Sequence, residues 1–151
     1  MPGPGTWSPG DILTADDLNA IGVWTTYTPT LAQNGTRTAT VNYAEYVQIN
    51  NLCIVNVDLT CTATGSAGNI ITVSVPVSIA GGSSIRTLGS GFFFDSSGSD
   101  VDLITAVYNS TSTVRFFDAS TTDRNSGYGA DPSIALGADD VISFSLAYQV
   151  A

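Results

Sequence analysis

Histidine and lysine are both missing from this chain of 151 residues, and only four arginines stand against thirteen acids. Without histidine or lysine there is no Ser-His-Asp, Cys-His or Ser-Lys arrangement to activate a nucleophile. The net charge of -9 repels phosphate backbones, so no nucleic-acid partner is expected. Two cysteines without a histidine leave almost nothing from which to build a zinc site, and no cofactor is expected. No apolar run approaches the ~18 residues of a membrane-spanning helix, so membrane insertion is not expected either. The N-terminus lacks the basic and apolar regions of a secretory signal, which predicts synthesis in the cytoplasm. Heptads and collagen-like triplets are absent too, so a stalk built from this chain is not expected.

What replaces charge is hydroxyl, amide and glycine. Charged residues make up 11% of the chain, against about 25% in ordinary domains. The apolar fraction of 43% is too high for a disordered segment. The length suits one domain, and its dominant period is two.

Residues 38 to 49 and 52 to 62 flank Asn50-Asn51, and pairing across that turn sets Gln48 opposite Cys53, Tyr46 opposite Val55 and Ala44 opposite Val57. One face is then mostly apolar, while the other carries Tyr43, Glu45, Asn56 and Asp58. The alternation recurs at Ile71, Val73, Val75 and Val77, near Ile85 to Phe94, Val101 to Tyr108 and Val114 to Asp118. It is cleanest over Val141 to Val150. Seven or eight short strands separated by Gly, Ser, Asn and Asp turns, with no fixed repeat, predict an all-β protein: an antiparallel β-sandwich or jelly roll. Cys53 and Cys61 lie on one strand, roughly 26 Å apart at ~3.3 Å per residue, so they cannot bridge each other. Their parity with Val55, Val57 and Leu59 predicts two buried, passive thiols.

The exception to this β-pattern is "GDILTADDLNAIG" (Gly10 to Gly22), which follows the Pro/Gly leader "MPGPGTWSP". Thr14 as N-cap, Asp17 as a short capping-box acid, Leu13 and Leu18 as a hydrophobic staple and Gly22 at C′ predict a helix over Ala15 to Ile21. At roughly 7 residues it is shorter than the ~12 to 15 that an isolated helix needs, so it requires a surface to dock on. Residues 1 to 23 are therefore expected to form a docking arm and residues 24 to 151 a β-sandwich head. Trp7, Ile12, Leu13, Leu18, Ile21 and Trp24 are the expected partner-binding residues of the arm.

Residues for chemistry are sparse. Asp95, Asp100, Asp102, Asp118 and Glu45 supply carboxylates, but they sit mainly in turn segments where solvation explains them, and no enzyme is expected. The loop "DSSGSDVD" (Asp95 to Asp102) has oxygen ligands at close spacing and stands open as either a calcium loop or a plain acidic connection. The run Phe92, Phe93 and Phe94 puts at least one ring on each sheet face, as a subunit or ligand contact or as a cover over the end of the sandwich.

Three stretches carry a family resemblance: "WSPGDILTADDLN" (Trp7 to Asn19), "WTTYTPTL" (Trp24 to Leu31) and "YAEYVQINNLCIVNV" (Tyr43 to Val57). With "IITVSVP" (Ile70 to Pro76) and "GADDVISFSLAY" (Gly137 to Tyr148), the chain resembles small trimeric surface proteins of tailed bacteriophages, especially those of actinobacterial hosts. The resemblance implies a homotrimeric β-sandwich head exposed on the virion and attached through its N-terminal segment to the major capsid protein or to tail subunits. Such heads serve as capsid decoration proteins and as minor tail proteins or tail-fibre heads that bind a host surface glycan or protein. A head without a stalk on a short arm fits a capsid lattice, so capsid decoration is the first expectation and a receptor-binding tail module the second.

Overall fold

The computed structural model describes residue 12 and residues 21–82, 86–120 and 126–151. Among these residues the secondary structure is all β. Ten strands occur in the order β1 (Thr25–Thr26), β2 (Leu31–Ala32), β3 (Thr36–Arg37), β4 (Ala39–Ile49), β5 (Leu52–Cys61), β6 (Thr72–Ser74), β7 (Thr87–Asp95), β8 (Asp100–Ser110), β9 (Thr113–Asp118) and β10 (Val141–Gln149). They form one sheet, β1-β4-β5-β10-β7-β8-β9-β6-β2-β3, and every neighbouring pair is antiparallel. The sheet curls so that its inner face closes on one core, a sandwich-like arrangement made from a single sheet. The expected antiparallel all-β class is observed.

The β4–β5 hairpin has the register read from the sequence: Ala44 pairs with Val57, Tyr46 with Val55 and Gln48 with Cys53. Asn50 adopts φ 53° at the turn, a left-handed conformation that asparagine tolerates. Asn42 is an extra residue between the Val41 and Tyr43 pairings, a β-bulge that the alternation alone did not disclose. The predicted strand through Val77 stops early, since β6 ends at Ser74 before Pro76. A second, very short hairpin, β2–β3, turns through Asn34 and Gly35, both at positive φ, and pairs Leu31 with Arg37.

Strand parity fills the core. Cys53, Val55, Val57, Leu59 and Cys61 from β5 meet Ile142, Phe144, Leu146 and Tyr148 from β10, together with Leu31, Val73, Phe93, Ile104, Val114 and Phe116. A glycine makes room for this packing. Gly91 lies opposite Phe144 in the ladder, and a Cβ there would stand 2.0 Å from the Ser143 carbonyl oxygen and 2.6 Å from Phe144 Cβ. With no side chain in the way, the Phe144 ring reaches across the curl to Phe116, centroid to centroid 5.1 Å at 59°, within the range of favourable tilted aromatic pairs.

Both thiols are free and fully buried, with 0% exposure. Burial raises the pKa of Cys53, and burial together with the nearby Asp140 carboxylate pushes Cys61 up to about 12. Labelling of the native protein by a thiol reagent is therefore expected to be slow and to become complete only on unfolding; rapid labelling would refute the hairpin register. The sign with pH follows. Because the native Cys61 thiol stays neutral while the unfolded one ionises near 9.0, its contribution to stability is complete below pH 9. It is lost as pH rises from 9 towards 12, visible as a falling urea midpoint.

The loops at one end are tied by a single buried amide. Gln33 has 0% exposure. Its Nε2 donates to the carbonyls of Asn69 (3.0 Å) and Ile134 (2.6 Å). Its Oε1 accepts from the backbone N–H groups of Ser66 (3.0 Å) and Leu136 (2.9 Å). Gly65 packs so closely on this amide that a Cβ would lie 1.8 Å from Oε1.

Candidate functional site

The outer face of the sheet is the surface left for function, and the strand registers lay it out in rows. One row crosses five strands from Tyr43 through Asp58, Ser143 and Phe92 to Leu103. The next runs from Glu45 through Asn56, Ser145 and Ser90 to Thr105 and Phe117. Its β4–β5–β10 portion is a polar belt in which side chains bond to one another. Tyr43 donates to Glu45 (2.8 Å), Asn42 to Asp58 (2.7 Å) and Ser145 to Asn56 (2.7 Å). The hydrogen bond to Glu45 raises the Tyr43 pKa.

Two apolar zones flank this belt. At the β7–β8 end, the pairs Phe92–Leu103 and Phe94–Val101 stand side by side, with Phe92, Val101 and Leu103 exposed. Phe93 has the opposite parity; it is buried in the core against the Tyr128 ring at 5.1 Å. The contact role weighed for the Phe92 to Phe94 run therefore cannot be served by Phe93, while Phe92 is exposed and Phe94 half-buried.

The other apolar zone lies at the β4–β5 hairpin tip, where Ile49 pairs with Leu52 and both are exposed. The root of the arm runs beside it. Thr25 pairs with Tyr46, and three residues earlier Gly22, at φ 77°, places its Cα hydrogen against Ile49 and Val47, with a Cβ position 3.6 Å from Ile49 Cδ1 and 3.8 Å from Val47 Cγ2. Val47 is only 5% exposed although it belongs to the outer row. The positive φ at Gly22 is the conformation expected of a helix-closing glycine.

Of the arm residues expected to bind a partner, Trp7, Leu13 and Leu18 lie outside the described residues, as does the helix Ala15 to Ile21 apart from its last residue. Ile12 is 82% exposed, and Ile21 and Trp24 are each 45% exposed. None of these three belongs to the core. Sequence reasoning missed Ile49, Leu52, Val101 and Leu103. The available signal was two large aliphatics bracketing the Asn50-Asn51 turn and two alternating with acids in "DVDL".

Of the carboxylates considered for catalysis, Glu45, Asp95, Asp102 and Asp118 have structural partners. Asp95 Oδ1 accepts from Ser97 N (2.8 Å), Ser97 Oγ (2.6 Å) and Gly98 N (3.3 Å). Its bonds to Ser97 lower its pKa. Asp102 accepts from the buried Tyr128 hydroxyl, and Asp118 accepts from Ser120 N at 2.6 Å. Asp140, buried at the start of β10, accepts from Gly137 N (2.6 Å) and Ser96 N (3.0 Å). Among the described residues no group of three or more His, Cys, Asp or Glu side chains is placed to hold a metal ion. Within the Asp95 to Asp102 loop, Asp95 caps its own turn while Asp102 turns towards Tyr128.

Compared with known proteins, the chain matches no family model, no curated protein and no solved structure.

Proposed function

We propose that this protein is a structural component of a bacteriophage virion, a homotrimeric decoration protein on the capsid surface, held there by its N-terminal arm and without catalytic activity. The observation that carries this is the exposure of Ile12, Ile21, Val23 and Trp24. Four large apolar side chains at the chain's start, outside the core, favour burial against another surface. A head whose acids act as turn caps and hydrogen-bond acceptors suits a protein that works by shape and adhesion. The Phe92–Leu103 and Phe94–Val101 zone supplies the natural contact between copies.

The polar belt supports a second reading, a minor tail protein or tail-fibre head that grips a host surface glycan. Tyr43 and Phe92 stand in one row with Asp58 and Ser143 between them, an arrangement of rings and hydrogen-bonding groups that suits sugar. Locating and counting the protein on purified particles separates the two: decoration requires many copies at a capsid symmetry site, a tail module a few copies at the tail. Sedimentation tests the oligomer. The full chain is expected to run as a trimer at micromolar concentration, and Phe92→Asp with Leu103→Asp is expected to release monomers. A wild-type chain that stays a monodisperse monomer would refute the trimer.

A further inference from the structure

We infer that the β4–β5 hairpin tip is the second half of the docking surface, and that its partner is a protein surface joining an apolar groove to a cationic rim. The inference rests on the virion role proposed above and specifies the partner's chemistry. The tip and the arm root are one continuous zone. Gly22 sits over Ile49 and Val47, Ile49 pairs with Leu52, and Val47 pairs with Ile54. Trp24 precedes the strand that borders β4. Trp24, Ile49 and Leu52 are all exposed, at the end of a hairpin where turn-flanking positions are ordinarily polar.

Charge decides which occupant fits. Residues 1 to 36 contain Asp11, Asp16 and Asp17 and no lysine or arginine, so the sequence leading to this zone carries acidic side chains and no basic ones. A second copy has few cations to offer this zone: the chain has four arginines and no lysine, of which Arg37 is held by the carbonyls of Gln33 and Asn34 and Arg86 donates to the carbonyl of Ala80. A partner with lysines or arginines around an apolar groove satisfies both parts of the surface.

Binding of the full-length protein to purified particles lacking it provides the test. Ile49→Thr with Leu52→Asn is expected to weaken attachment about tenfold or more with the melting temperature and the sedimentation of the protein unchanged. Raising salt from about 0.05 to about 0.5 M is expected to weaken wild-type attachment. A tip variant that attaches normally while the wild type binds would overturn the inference and leave the virion role standing, and attachment indifferent to salt would overturn the cationic rim. A wild-type protein that does not attach at all would overturn the virion role and this inference with it.

Discussion

Replacing Gln33 by alanine is expected to cost about 3 to 5 kcal/mol of unfolding free energy, the largest single-site effect outside the aromatic core. Gln33 satisfies four backbone groups at once: the carbonyls of Asn69 and Ile134 and the N–H groups of Ser66 and Leu136. Each buried group left without a partner costs about 1 to 3 kcal/mol, and water entering the space vacated by the amide recovers part of the sum. The side chain joins the chain at residue 33 to loops more than thirty and about a hundred residues away, so its loss separates three segments rather than loosening one. Urea denaturation should show a lower midpoint with an unchanged slope. Gln33→Glu provides the sharper comparison, because it keeps the size and the acceptor while placing a carboxylate oxygen against the Asn69 and Ile134 carbonyls. It is expected to destabilise at neutral pH and to recover partly in acid, where the carboxyl regains a proton to donate. A loss below about 1 kcal/mol in the alanine variant would mean that the loops hold without the amide.

Removing residues 1–20 is expected to abolish attachment to particles while leaving the melting temperature of the head nearly unchanged. The cut falls before Ile21 because Gly22 lies against Val47 and Ile49; a longer deletion would uncover Val47 and confuse attachment with stability. If Leu13 and Leu18 belonged to the head's core, their loss would instead cost about 2 to 5 kcal/mol each, as in Leu-to-Ala truncations. For a domain of this size that would lower the melting temperature by roughly 2 to 4 °C per kcal/mol. Calorimetry and particle binding on the same deletion protein distinguish the outcomes. An early melt, or full occupancy on particles, would overturn the docking arm.

Much of the fold was legible because its signals are local. The period-two pattern of Val141 to Val150, the Asn50-Asn51 turn and the parity of Cys53 with Leu59 each depend on neighbours a few residues away, and the observed ladders follow them. The bulge at Asn42 was not legible, since an extra residue in a polar-and-apolar alternation leaves no local mark. Gln33 was not legible either. In sequence it is one amide before a turn, and its partners are reached only when the ends of the curl come together.

By itself, then, the sequence determined the all-β class, the register of the β4–β5 hairpin, the burial of both thiols and the lack of histidine- or lysine-based chemistry, because residue type and strand parity decide these within a few residues. Only the tertiary structure decided that the ten strands form one curled sheet, that Phe93 turns inward while Phe92 turns out, and that the root of the arm lies beside Ile49 and Leu52. The physical reason is that the face a strand buries depends on which distant strands close over it, and that choice is fixed by packing across the whole core rather than by any local preference.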